Sequence, residues 1–176
     1  MAVRPDSISY AIGITKSMFK YSKYYAYDED PPVEVVENLY RGPLPDDDIL
    51  ERFAQFGITS IITLCDERSA ANHVREQCRR RNLKHFHIPL SPFVRPTVSQ
   101  VEQFLRLLED RHHSPIYTHC IHGKDRTGAM LGIFRLSQGW SVEQAVKEMQ
   151  TYRFGMEFDE LLHAVRNYRH PLSSKD

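Results

Sequence analysis

Ten consecutive residues, His119-Cys120-Ile121-His122-Gly123-Lys124-Asp125-Arg126-Thr127-Gly128, constrain this chain more than any other stretch. Before them, Pro115-Ile116-Tyr117-Thr118 reads as a short strand; after them, Ala129, Met130, Leu131, Ile133, Phe134 and Leu136 set an apolar helical pattern. Strand, loop and helix therefore follow one another without a linker, and the loop residues have distinct physical tasks. Cys120 supplies a sulfur that attacks as its thiolate. Gly123 lets the backbone turn tightly enough for successive N–H groups to converge on an anion. Arg126 offers a planar fork for two oxygens of one oxyanion. The helix that follows adds the positive end of its dipole. His119, Ile121, His122, Lys124 and Thr127 complete the candidate anion-binding set.

The rest of the chain sets bounds on this reading. At 176 residues it fits one domain, since domains typically hold roughly 100–200 residues. Lys plus Arg and Asp plus Glu both number 23, so a broad electrostatic surface for nucleic acid or membrane is not expected. Cys65, Cys78 and Cys120 make no paired framework, and a catalytic thiolate suits a reducing, cytoplasmic setting, although delivery by a specialised export system would leave no mark in the sequence. No apolar run approaches the roughly 18 residues of a membrane span. The start, Met1-Ala2-Val3-Arg4-Pro5-Asp6, lacks a secretory pattern.

Residues 1–34 form a candidate N-terminal arm, with Tyr10, Tyr21, Tyr24, Tyr25 and Tyr27 crowded before Asp28-Glu29-Asp30-Pro31-Pro32. Its aromatics either pack on the domain or serve as a lid or partner-binding extension. The domain proper is expected over 35–170, with a tail at 171–176. Val35 to Tyr40 reads as an edge strand, and Pro45-Asp46-Asp47-Asp48 opens a helix with acids where the dipole favours them. Gly57 ends that helix, and Ile58 to Leu64 is a buried strand by its β-branched content. A polar helix follows over Arg68 to Asn82, then a strand over Lys84 to Ile88 and a helix from Thr97 to Asp110. Ser141 with Gln144 makes a capping box for another helix, and Glu157 to Arg169 is the last. Alternating strands and helices predict an α/β fold, a central mostly parallel sheet flanked by helices. In such a sheet the site lies beyond the strands' carboxyl ends, which puts Cys65-Asp66-Glu67-Arg68 and Leu90 to Pro96 on the rim of the Cys120 loop.

The Cys-x5-Arg-Thr-Gly loop, its preceding His119 and its flanks resemble the signature of the cysteine-based tyrosine, dual-specificity and inositide phosphatase superfamily. The Gly-Lys-Asp-Arg-Thr-Gly version is most similar to bacterial dual-specificity-type, phytase-like and phosphoinositide phosphatases. The resemblance runs from about Val35 to about Tyr168 and includes Asn38-Leu39-Tyr40-Arg41-Gly42-Pro43, Phe56-Gly57-Ile58 and Gly139-Trp140-Ser141. It implies a dual-specificity phosphatase-like fold, no cofactor or metal, and hydrolysis of phosphate monoesters through a phosphocysteine. It further implies that His119 orders the loop and that Thr127 donates a hydrogen bond to the cysteine sulfur.

One family feature is missing. Many relatives take their general acid from an Asp on the loop after the third main strand, and between Lys84 and Gln100 this chain has no Asp or Glu. Asp125, inside the loop, is the first candidate, although Arg126 and Lys124 beside it argue for a carboxylate held ionised. Asp66 is the alternative general acid and His122 the third. Lys124, His122, Arg68 and Arg95 would make a basic mouth, suited to inositol phosphates or phosphoinositides before phosphotyrosine. A phosphorylated small molecule, lipid headgroup or phosphoprotein is the expected partner. Cys65, at a strand end beside the loop, is either a core thiol or a resolving partner for an oxidised Cys120. A zinc site from His85, His87, Cys120 and His122 lacks a recurrent ligand spacing, and a nucleotide P-loop fails because Asp125 follows Lys124. The non-enzymatic rival is a phosphate-binding pseudophosphatase.

Overall fold

The structure, a computed structural model, describes residues 32–55 and 57–169. The tyrosine cluster of the expected arm and the tail at 171–176 lie outside these residues. Strands β1 (Val33–Val36) and β2 (Leu39–Gly42) come first, then α1 (Asp47–Gln55), β3 (Ser60–Cys65), α2 (Arg68–Arg80) and β4 (Lys84–Leu90). Helix α3 (Val98–Glu109), a 3-10 turn (Arg111–His113), β5 (Ile116–His119), α4 (Asp125–Ser137), α5 (Val142–Thr151) and α6 (Asp159–Arg166) complete the order. The five strands form one sheet in the order β1-β2-β5-β3-β4, parallel except for β1. The central, mostly parallel sheet flanked by helices is the architecture the alternating pattern predicts.

The single edge strand expected over Val35 to Tyr40 is instead a hairpin, and Val33 and Glu34 belong to the sheet rather than to the arm. Asn38 makes the turn with φ 66°, a left-handed conformation that asparagine tolerates better than most residues. Its N–H donates to Glu34 Oε1 at 3.0 Å, which closes the turn.

Both faces of the sheet are covered, so β3 is buried at every position. Alternation along the strand sends Ile62 and Leu64 to one side with Met130, Leu131 and Ile133 of α4 and Leu161 and Val165 of α6. Ile61 goes to the other with Leu50, Phe53, Val74, Cys78 and Tyr117. Helix α4 runs through the first of these layers and is buried from Arg126 to Ile133. Thr97 and Ser141 start α3 and α5 with complete capping boxes, partnered by Gln100 and Gln144.

Parallel pairing aligns the strand ends. Gly42 of β2 stands opposite His119 of β5, Thr63 of β3 opposite His119 from the other side, and Cys65 opposite Leu90 of β4. The loops after β2, β3, β4 and β5 therefore open on one rim.

Candidate active site

Cys120 follows the last residue of β5 and is 2% exposed. The loop runs through Ile121, His122 and Gly123 to Lys124, which caps α4. Gly123 has φ 69°, and a Cβ there would strike the Gly42 carbonyl and the Pro43 nitrogen. Only glycine meets both conditions. The segment after β2 braces the loop from below. Buried Arg41 donates from Nη2 to the Gly123 carbonyl at 2.8 Å, and Leu44 N–H donates to the Ile121 carbonyl at 3.0 Å. Arg41 also lies 4.2 Å over the Tyr152 ring, and Tyr117 O–H donates to the Pro43 carbonyl at 2.7 Å. Ile121 and Lys124 are half-buried and His122 is exposed.

His119 is completely buried, with Nδ1 2.9 Å from the Cys120 carbonyl and Nε2 2.8 Å from Thr63 Oγ1. The same hydroxyl lies 2.9 Å from His85 Nε2. Burial pushes the His119 ring down to about 3, against the hydrogen bond to Cys120. Burial, then His87 and Arg75, bring His85 down to about 4. Both rings are neutral at physiological pH. Thr127 Oγ1 is buried with no hydrogen-bond partner among the described residues, so the expected bond to the cysteine sulfur is not formed here.

Arg126 leaves the first turn of α4 and turns to the rim of β3. Nη1 donates to Asp66 Oδ1 at 2.7 Å, to Glu67 Oε2 at 2.8 Å and to the Leu90 carbonyl at 3.2 Å; Nη2 donates to Glu67 Oε1 at 3.1 Å. Glu67 thus grips the guanidinium end-on. The Nε–H and the second Nη2–H share the remaining edge and make no hydrogen bond among the described residues, leaving a side-on fork of the kind that holds two phosphate oxygens. Burial works against the charge on Glu67, but the Arg126 bonds outweigh it and hold the carboxyl below its usual range.

Asp125 behaves differently from the sequence expectation. Its Oδ1 accepts from Gly155 N–H at 2.7 Å, tying the loop between α5 and α6 to the start of α4. Burial pushes its pKa up, ahead of the lowering effects of Gly155, Lys124 and His122. The neighbouring Arg126, whose charge argued for a permanently ionised Asp125, faces Glu67 instead.

Of the two rim arginines, Arg68 is exposed at the start of α2, one residue beyond Glu67. Arg95 pairs with Glu160 of α6 at 3.0 Å and lines a groove of about 630 Å³ with α3 and α6. No hydrogen bond or ion pair joins Arg95 to the Cys120 loop among the described residues. Cys65 and Cys120 are both free thiols, and burial, followed by the charge of Glu67, pushes Cys65 up to about 12. Among the described residues no cluster of three or more His, Cys, Asp or Glu could hold a metal ion. None of their helices is long and apolar enough to cross a membrane.

Glu67 and Thr63 are site residues to which sequence reasoning assigned no role; Arg41 figured there only within the family resemblance and His85 only in a rejected zinc site. Glu67 stood on the predicted rim, and a charged residue inside the Leu39–Gly42 strand was a visible signal for Arg41.

A family model described as DSP-PTPase phosphatase fused to NAD+ kinase matches residues 22–167. Inositol diphosphatase DSP5 of Arabidopsis thaliana is 29% identical over 123 residues, 66% of this chain and 58% of that protein. The chain spans less than two thirds of the length of that relative. Among solved structures, the core catalytic domain of the PP-IP phosphatase SIW14 from S. cerevisiae matches with a TM-score of 0.69 and 22% identity, over 80% of this chain and 88% of that one. P. aeruginosa TpbA matches with a TM-score of 0.62 and 25% identity, over 74% of this chain and 80% of that one. With the family model covering most of the chain, the protein belongs to the cysteine-based DSP-PTPase phosphatases.

Proposed function

We propose that this chain hydrolyses phosphate groups of inositol polyphosphates, diphosphate groups included, through a phosphocysteine on Cys120. The observation that carries the reading is the pairing of a buried Cys120 with an Arg126 whose side-on edge is left open by Glu67. Curated plant relatives named inositol diphosphatases support the substrate class, as does the positive charge that Lys124 brings to the loop.

In the first step the Cys120 thiolate attacks phosphorus while the bond to the leaving oxygen breaks. The loop N–H groups, the N-terminus of α4 and the Arg126 fork hold the three equatorial oxygens. Asp125 protonates the leaving oxygen. Its raised pKa suits that task, and the bond from Gly155 N–H occupies Oδ1 and leaves Oδ2 for the proton. Asp66 is the weaker choice because its Oδ1 is engaged by Arg126. In the second step water, deprotonated by Asp125, attacks phosphorus and the sulfur leaves as thiolate.

The test is phosphate release from inositol pyrophosphates, inositol polyphosphates, phosphoinositides and phosphotyrosyl peptides, with Cys120→Ser as the control. Fastest release from inositol polyphosphates supports the proposal. Release from phosphopeptides alone overturns the substrate class, and release from none, with retained phosphate binding, makes the chain a pseudophosphatase.

A further inference from the structure

The hydrogen bonds behind the Cys120 loop admit one set of directions. The Cys120 carbonyl only accepts, so His119 Nδ1, at 2.9 Å, carries the proton and donates. In the neutral ring Nε2 is then a lone pair. Thr63 Oγ1, 2.8 Å away, gives it the single hydroxyl hydrogen. His85 Nε2, 2.9 Å from the same oxygen, is left to donate to a Thr63 lone pair. The chain of donors thus runs from β4 through β3 to β5: His85 Nε2–H to Thr63, Thr63 to His119 Nε2, and His119 Nδ1–H to the Cys120 carbonyl.

We propose that Thr63 and His85 are positioning residues for the reaction, anchoring the Nδ1–H imidazole of His119 at its Nε2 and through it the peptide of the nucleophile. A neutral imidazole has two tautomers, and the partner of one nitrogen decides where the proton sits. With the proton on Nε2 instead, a lone pair on Nδ1 would face the carbonyl oxygen of Cys120, and the loop would have to move. The site is fully enclosed at Thr63 and His119, so water does not take the place of the missing donor, and an unmet buried group carries its full desolvation cost. Pairing of Thr63 with His119 across β3 and β5 makes the arrangement part of the sheet. The inference rests on the phosphatase reading of Cys120.

Nitrogen-15 NMR of the imidazoles in the full chain reads the tautomer directly. The wild type is expected to show His119 protonated at Nδ1 and unprotonated at Nε2 at neutral pH. In Thr63→Val the proton stays on Nδ1, held there by the Cys120 carbonyl, but the Nε2 resonance moves downfield because its lone pair has lost the hydroxyl donor, and Thr63→Ser, which keeps the hydroxyl, restores the wild-type shift. Alkylation of Cys120 by iodoacetamide slows about tenfold in Thr63→Val, the effect of losing the one buried hydrogen bond that anchors His119 against the Cys120 peptide. The rate falls in His85→Leu and is retained in His85→Gln, whose amide donates from the same place. A wild-type His119 protonated at Nε2, or a Thr63→Val variant with unchanged Nε2 resonance and alkylation rate, overturns the proposal. Neither readout needs turnover, so a failure of the phosphatase reading would appear separately, as absent phosphate release.

Discussion

Glu67 grips the guanidinium of Arg126 end-on, with carboxylate oxygens 2.8 and 3.1 Å from the two terminal nitrogens. The two residues lie 59 positions apart in the chain. Their relationship makes Glu67 an aiming device for the phosphate-binding fork and not a competitor for it. Glu67→Gln keeps the shape but removes the charge that doubles the strength of such bonds, so kcat/KM is expected to fall about tenfold, chiefly through KM. Inhibition by inorganic phosphate should weaken in parallel. Unchanged KM and phosphate inhibition would mean that Arg126 holds its orientation without Glu67.

Asp125 predicts a pH profile. A general acid must be protonated to act, so kcat for a substrate with a poor leaving group should fall as pH rises through the elevated pKa of Asp125. Asp125→Asn flattens that limb and lowers kcat by about 10²–10⁴-fold, and an activated aryl phosphate largely rescues the variant. Full rate on a poor leaving group would pass the role to Asp66.

The neutral histidines predict acid sensitivity. Unfolded, both titrate near 6.5; folded, His85 resists protonation until about 4 and His119 until about 3. Below about pH 6.5 the unfolded chain binds protons that the folded protein refuses, so stability falls with pH down to those values and is untouched above the window. His119 alone contributes a loss of about 2 kcal/mol by pH 5, and half-buried His85 contributes less. Urea midpoints at pH 7 and pH 5 measure the loss, and His85→Gln should reduce it.

Gly123→Ala tests the loop's geometry. The new methyl meets the Gly42 carbonyl at a φ that costs a non-glycine residue about 1–3 kcal/mol before any clash. Thermal unfolding should shift downward and turnover should be lost together, because the strained residue sits inside the anion cradle. An unperturbed variant would show that the loop relaxes freely.

Cys65 is expected not to act as a resolving thiol. Held up at about 12, it is a thiolate in only about one molecule in 10⁵ at pH 7. A non-reducing peptide map after brief peroxide treatment should contain no Cys65–Cys120 link, and a rapidly formed link would contradict this.

The strand, loop and helix around Cys120 were legible because each is a local pattern: a β-branched run, a glycine before an arginine, an apolar helical repeat. The same holds for the Thr97 and Ser141 capping boxes, where the partner stands three residues away. The Glu67–Arg126 clamp was not legible, since it depends on β3 and β5 lying side by side. Arg41 is a buried charge that donates to the Gly123 carbonyl and lies over the Tyr152 ring, contacts across the fold that no local side-chain pattern encodes. Asp125 misled for a related reason: two cations flank it in sequence, yet the helix turns Arg126 away and burial decides the sign. Arg95 shares a loop with the rim and still finds Glu160 on α6.

The central claim is covalent catalysis by Cys120, and trapping the intermediate tests it most directly. Wild-type enzyme mixed with an inositol pyrophosphate, quenched within one turnover and digested, should yield the Cys120 peptide carrying one phosphoryl group on sulfur, with Asp125→Asn accumulating more of it than wild type if water activation limits the second step. Phosphate released at full rate by Cys120→Ser, or a phosphoryl group found on any other residue, would contradict the account.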